Sequence, residues 1–419
     1  MKAVSRNVNL VAYKATADVV SKSVTLLVTV AAARVLAPEA FGVLALAMTT
    51  GWLLGVASDA GLPLYLARAV ARRDGMLQAV VRDVMRVRVL LALVAFVIGA
   101  VVAAIWAPAS SVAAFALIVV AQLAGAVLET LSHVYRGLGR SEVESTLTLA
   151  QRLATAVLAS LVLFWQPTLF LLSVALVVPP LVALLISFGI ASRLGAREGG
   201  VVRATRGRYA VARDAAPIGL GILVSALYFR CDVYFLNYWL GLETVGMYNA
   251  VFRLVEALRL LPAATLAVVF PELCRATSTT PVKRLAVLLG GAGALAMAFT
   301  FTAAEGIVHL AYGDAYYGAI DALRVLSLSL PLFFVNYALT HQVIAWDGQR
   351  RYLAITCAAL AGNVAANILL IPAYGMVGAA WATLFTEVIV TTGCVLAVRP
   401  GVAKSAEKGT VPFLAESEI

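Results

Sequence analysis

The chain alternates long apolar runs with short polar breaks. Windows of roughly 19 to 25 apolar residues have the length a helix needs to cross a hydrocarbon layer about 30 Å thick. Twelve such runs occur: 11–36, 41–66, 87–105, 112–135, 146–164 and 169–192, then 215–240, 246–270, 285–304, 322–345, 352–371 and 376–398. Lys14, Asp18 and Lys22 interrupt the first run, which is therefore predicted as a retained helix and not a cleaved leader. Lipid offers no partner to backbone N–H and C=O groups, so runs of this kind predict an all-α integral membrane protein. The expected organisation is an N-terminal six-helix bundle (1–192), a basic linker (193–213), a C-terminal six-helix bundle (214–398) and a tail (399–419).

Composition sharpens the pattern. Hydrophobic residues make up 62% of the 419 and charged residues only 13%, against roughly 45–50% and 25% in ordinary soluble proteins. The formal charge is +10, with 32 Lys and Arg against 22 Asp and Glu. In a soluble protein that surplus would suggest nucleic acid; here its distribution points to topology. With Arg88, at the edge of the third run, counted in the basic loop it ends, eight bases lie inside the apolar runs, and the other 24 all fall in every second loop and at the two ends. The alternate loops hold no base and four acids, Glu39, Glu243, Glu305 and Asp314. The positive-inside rule then predicts an even number of spans in a cytoplasmic membrane with both termini cytoplasmic, basic loops facing anionic lipid, and no nucleic-acid partner.

The halves echo each other. Leu36-Ala-Pro-Glu39-Ala-Phe-Gly42 follows the first run and Leu240-Gly-Leu-Glu243-Thr-Val-Gly246 the seventh, and Gly139-Arg140 is echoed by Gly348-Gln349. With an even helix number per half, the repeat is expected to be parallel, about an axis along the membrane normal. Catalytic chemistry has little support. There are three histidines, and the cysteines Cys231, Cys274, Cys357 and Cys394 are widely separated. No metal, hydrolase or nucleotide motif stands in a suitable setting, so neither metal nor cofactor is expected.

Charges inside the runs are the candidate chemistry, because they are costly there unless paired or wetted. The bases are Lys14, Lys22, Arg34, Arg152, Arg230, Arg253, Arg259 and Arg324; the acids are Asp18, Asp59, Glu129, Asp232, Glu256, Glu387 and, at the edge of the tenth run, Asp321. At 100° per residue, Lys14, Asp18, Ser21, Lys22, Thr25 and Thr29 share one face of the first helix, and Asn249, Arg253, Glu256 and Arg259 one face of the eighth. The near balance of signs also admits a plainer reading, in which pairs such as Arg253 with Glu256 only fix helix packing. His133 and His341 read as packing residues, Asn363 and Asn367 as interhelical hydrogen-bond partners, and Tyr312, Tyr316 and Tyr317 as an interfacial aromatic belt.

Several strings resemble a known family. Ala33-Arg34-Val-Leu-Ala-Pro-Glu-Ala-Phe-Gly42 looks like the outer turn of Wzx-type polysaccharide flippases, within the multidrug, oligosaccharidyl-lipid and polysaccharide exporter superfamily. Asp59-Ala-Gly61-Leu62, Tyr135-Arg-Gly137-Leu-Gly139-Arg140 and Val245-Gly246-Met-Tyr248-Asn249 follow in order, then Asn363-Val-Ala-Ala-Asn367 with Pro372-Ala-Tyr-Gly375-Met-Val-Gly378. The resemblance implies two six-helix bundles around a central cavity, a lipid-linked oligosaccharide as substrate, and a polysaccharide polymerase and chain-length proteins as partners. On that footing Lys22, Arg34, Arg230, Arg253 and Arg259 are the expected contacts to a diphosphate headgroup, with Asp18, Asp59, Asp232 and Glu256 orienting them or carrying protons. The rivals are a cation-coupled multidrug antiporter, which calls for an acid-dominated cavity, and a membrane-embedded polymerase, which calls for a larger outer domain than the 305–320 loop.

Overall fold

The computed structural model describes residues 2–63, 66, 70, 77–197, 208–276, 278–346 and 348–398. Among them regular structure is entirely helical, and the chain divides into two compact units, 1–223 and 224–419. The first contains α1 (Lys2–Val35), α2 (Pro38–Asp59), α3 (Leu77–Trp106), α4 (Val112–Gly137), α5 (Ser141–Trp165), α6 (Leu169–Arg197) and most of α7 (Arg208–Arg230). The second contains the end of α7, then α8 (Asp232–Leu258), α9 (Leu260–Arg275), α10 (Thr280–Thr302), α11 (Ala304–Tyr312), α12 (Ile320–Ser327), α13 (Leu330–Ala345) and α14 (Gln349–Ala397). The tail and residues 198–207 of the linker lie outside the described residues, as do the side chains of Lys14 and Asp18.

Eight helical segments among the described residues are long and apolar enough to cross a membrane, and nine when the pair 314–327 and 330–345, bent by 45°, is taken as one. Two of these are double length, Gly219–Leu266 with 48 residues and Gln349–Ala397 with 49. At 1.5 Å per residue each is more than twice the hydrocarbon thickness, so each supplies two crossings. With α1, whose lysines and aspartate dilute its apolar run, this accounts for twelve spans.

Glycine makes the double-length segments fold back. Gly241 breaks α8 at φ 81° and Gly375 breaks α14 at φ 60°, conformations that a β-carbon disfavours. Gly241 aligns, at the offset of the sequence echo, with Ala37, which caps α2 ahead of Pro38. Beyond Gly375 the returning arm presses Gly378 onto the first: a β-carbon there would lie 2.2 Å from the Leu370 carbonyl oxygen. The Pro372 to Gly378 string therefore encodes a hairpin. The unit boundary falls inside α7, not in the basic linker, because Gly219 packs directly on the Ala60–Gly61 turn that ends α2.

In the first unit α4 is the central helix, packed by α2, α3 and α6, while α5 joins α1 to α6. In the second, α13 packs against α9, α10 and α14, and α8 packs against α12 and α14. One polar lock ties the first unit together. Arg88, counted with the basic loop by sequence pattern, is fully buried on α3. Its guanidinium lies 2.6 Å from Asp59 and donates to Ser58 Oγ at 2.5 Å and Thr130 Oγ1 at 3.1 Å, joining α2, α3 and α4.

Removing one partner of such a pair strands the other charge. Arg88→Met is expected to lower stability by about 3 kcal/mol, the low end of the range for buried pairs because Asp59 keeps 28% of its side chain exposed. The Arg88→Met, Asp59→Asn double variant is expected to recover a large part of the loss, since both charges go together. Thermal unfolding of the detergent-solubilised protein, followed by size-exclusion fluorescence, checks both. Gly378→Val is expected to abolish accumulation in the membrane, scored by immunoblot of the membrane fraction.

Candidate functional site

The site grows from the junction of α7 and α8. Arg230 ends α7, Cys231 is the joint, and Asp232 starts α8. At the far end of α8, Asn249, Arg253 and Glu256 follow at intervals of four and three, which puts them on one face, and Arg259 caps the helix before α9 begins. Arg230 is buried, with 4% of its side chain exposed, while Arg253 and Glu256 are partly open.

Two arginines share one carboxylate oxygen. Arg253 Nη1 donates to Glu256 Oε2 at 2.8 Å and Arg230 Nη2 to the same atom at 3.3 Å; Arg230 Nη1 also donates to Asn249 Oδ1 at 3.2 Å. The Arg230 guanidinium lies 4.3 Å from the Phe252 ring centre. Arg259 takes another solution. It sits between Phe229 at 4.4 Å and Phe333 at 4.5 Å, with Tyr337 at 5.6 Å, and makes no ion pair within 4 Å among the described residues. Its Nε is buried without a hydrogen-bond partner. Electrostatically, Glu256 faces Arg253, Arg230 and Arg259 together, while Asp232 lies in the field of Arg230 and Glu387 in that of Arg259. Glu387, the further acid within electrostatic reach of Arg259, is bonded at 2.7 Å by Asn336 Nδ2.

Behind the arginines lies a closed polar network. Asp232 accepts from the Val233 N–H at 2.9 Å and lies within hydrogen-bonding reach of the Tyr248 hydroxyl, which is 3.3 Å from Thr383 Oγ1. Asn363 accepts from Cys231 Sγ at 2.9 Å and donates to Thr386 Oγ1 at 2.8 Å, and Asn367 Nδ2 donates to Asn363 Oδ1 at 2.8 Å. These bonds tie α7 and α8 to both arms of α14.

Of the residues singled out by sequence, the structure gathers Arg230, Arg253, Arg259 and Glu256 into one cluster, with Asp232 close by. Lys22 and Arg34 belong to the other unit and are exposed on α1; Asp59 is bound to Arg88. Asp18 lies outside the described side chains. The tyrosine belt divides. Tyr312 and Tyr316 are buried, the Tyr312 hydroxyl donating to the Ala250 carbonyl at 2.7 Å, and only Tyr317 is exposed, donating to Glu305. An aromatic belt would require all three rings at the surface; two of them are instead buried where the turn at 313–319 meets α8. Sequence reasoning missed the rings about Arg259. Their signal was faint: Phe229 adjoins a candidate base, and Phe333 and Tyr337 stand one helical turn apart.

The family model for "Polysaccharide biosynthesis protein" matches residues 8–277. No curated protein sequence matches the chain. Among solved structures, the lipid II flippase MurJ in an inward-closed conformation is similar at TM-score 0.64 and 12% identity, over 94% of this chain and 89% of that one. An inward-facing multidrug resistance MATE family transporter of the MOP superfamily is similar at TM-score 0.67 and 16% identity, over 93% and 96%. The eukaryotic MATE transporter AtDTX14 is similar at 0.64 and 15%, over 96% and 98%. At these identities the likeness establishes a shared fold. With the family match spanning well over half of its length, the chain is an all-α, multi-pass membrane protein that belongs to the polysaccharide biosynthesis protein family.

Proposed function

We propose that the chain is a flippase that carries polyprenyl-diphosphate-linked oligosaccharide repeat units across the cytoplasmic membrane, by alternating access, for a surface polysaccharide such as O-antigen, capsule or exopolysaccharide. The observation that carries this reading is the arginine cluster, three guanidiniums about the single carboxylate of Glu256. A diphosphate matches its forked donors, since guanidinium binds phosphate oxygens in pairs. The family's role in polysaccharide biosynthesis and the fold shared with a lipid II flippase support the same substrate class. The lipid tail stays in the bilayer while the headgroup crosses, so the protein has only the polar end to accommodate. The loop charges favour both termini in the cytoplasm, and Asp232, held by the Val233 N–H and the Tyr248 hydroxyl in the field of Arg230, is the proposed proton carrier between states. A polymerase and chain-length proteins are the proposed downstream partners.

An antiporter for cationic drugs needs a surplus of acid, and acid is not in excess about these three guanidiniums. In proteoliposomes holding a fluorescent polyprenyl-diphosphate sugar, scored for sidedness with a membrane-impermeant quencher, the wild type is expected to equilibrate the lipid between leaflets. Arg230→Ala, Arg253→Ala and Arg259→Ala are each expected to slow transfer about ten- to a hundredfold, the equivalent of one charge-assisted hydrogen bond of about 1.5–3 kcal/mol. Arg259→Lys is expected to fail as badly as Arg259→Ala, because an ammonium does not reproduce the planar stack. A triple alanine variant that folds and transfers lipid at the wild-type rate overturns the proposal.

Glu256→Gln leaves three cations without their anion. The variant is expected to unfold at a lower temperature than wild type in buffer and to gain more from millimolar inorganic pyrophosphate, because the added anion then supplies the missing countercharge. Equal melting shifts in the two proteins count against a phosphate site at this cluster.

A further inference from the structure

Tyr312 ends α11, and Gly313 then turns the chain at φ 81° into a short 3-10 helix, Asp314–Ala319. The two parts of this side chain meet different surroundings. Its ring is buried beside Tyr316, the ring centres 5.3 Å apart. Its hydroxyl reaches α8, where it donates to the Ala250 carbonyl at 2.7 Å.

That bond is not one α8 requires. Residues 242–258 are continuous helix, in which the Ala250 carbonyl takes the N–H four residues further on. Nor does burial call for it, because phenylalanine fills the same space without a hydroxyl that is unfavourable there unless bonded. What the hydroxyl adds is a hold on one point of the helix. Ala250 follows Asn249, the acceptor of Arg230, and stands one turn before Arg253 on the same side. Arg253 also lies in the field of the Tyr312 hydroxyl. The hold therefore falls on the part of α8 that presents the cluster, between the residue that fixes Arg230 and Arg253 itself.

The element that supplies the hold is stiff. Glu305 and His309, four apart on α11, face Tyr317 and Asp314: Tyr317 donates to Glu305, and His309 Nδ1 lies 2.7 Å from Asp314 Oδ1. These two rungs close the hairpin on its exposed side, and Tyr312 leaves it from the buried side. A similar hold acts beyond the cluster, where Gln342 Nε2 and Trp346 Nε1 donate to the Leu273 and Ala276 carbonyls at the end of α9, at 3.2 and 3.0 Å. The stretch that carries the arginines is thus gripped through backbone carbonyls on both sides of them.

We propose that Tyr312 is a positioning residue for the arginine cluster. Its hydroxyl sets the rotation of α8 at which Arg253 and Arg230 share Glu256 and offer their remaining donors to a diphosphate. The inference rests on the proposed function for the identity of that ligand, and on the geometry alone for the hold.

Tyr312→Phe keeps the ring and removes the hold. In the proteoliposome assay it is expected to slow transfer about three- to tenfold, the equivalent of one neutral hydrogen bond. Tyr316→Phe alters the neighbouring ring without touching the Ala250 bond, and is expected to keep the wild-type rate. A tyrosine that only stabilises the fold slows every background alike. A positioning residue instead adds less than about twofold to Arg253→Lys and its full effect to Arg259→Lys, since residues acting through one another are not additive. The aromatic seat of Arg259 comes from Phe229, Phe333 and Tyr337, none of them on α11. Hydrogen exchange of the detergent-solubilised full-length protein, read by mass spectrometry, needs no substrate: Tyr312→Phe is expected to raise exchange over 246–258 about threefold and to leave 376–397 unchanged. Unchanged exchange over 246–258, a wild-type transfer rate in Tyr312→Phe, or equal effects in the two arginine backgrounds overturns the assignment. A wild type that moves no lipid, with the exchange shift present in Tyr312→Phe, loses the transport reading and keeps the hold on α8.

Discussion

A guanidinium inside a helix bundle thick enough to span lipid has to meet an acceptor, an aromatic face or a polar cavity, and the structure follows how each arginine does so. Arg88 meets Asp59 and the hydroxyls of Ser58 and Thr130, and in doing so pins three helices at one point. Arg230 and Arg253 divide one oxygen of Glu256. Arg259 lies between rings from α7 and α13. The first solution pairs one base with one acid and is structural, whereas in the other two a guanidinium shares its acid or has no ion pair among the described residues. That difference separates a lock from a site more sharply than burial does.

The backbone constraint is as strict. With no water to bond exposed peptide groups, the chain can turn only where a residue tolerates an unusual dihedral or where a following proline has no N–H to satisfy. Gly241, Gly375 and the Ala37–Pro38 step are three such places. Because helices in lipid gain little from hydrophobic burial, close approach matters more. Gly378 against Leu370 and Gly219 against Ala60 are contacts that a single methyl group would prevent.

Much of the fold was legible along the chain. The apolar runs marked the spans, and the Pro372 to Gly378 string announced a turn that the structure shows as a hairpin. Among the charges, the spacing of Asn249, Arg253 and Glu256 on one helical face was enough to predict their meeting. Arg230 was harder, being far from that face in number, and only the packing of α7 on α8 brings it to Glu256. Arg88 was misjudged because it stands at the end of an arginine-rich loop, where charge counts suggest solvent. Tyr312 and Tyr316 were misjudged because an interfacial ring and a buried ring have the same composition.

The sequence by itself determined the solvent of this protein, its helical class and its turns, since each depends on local properties: run length, side-chain polarity and the dihedral freedom of single residues. Which charges pair one to one and which gather in a cluster was decided only by tertiary structure. Eight bases and seven acids were assigned to the apolar runs and their edges, nearly balanced, and a near balance is equally compatible with inert pairs or with a cationic site. Electrostatic energy depends on distances of a few ångströms between residues far apart in number, and such distances exist only once the helices have packed.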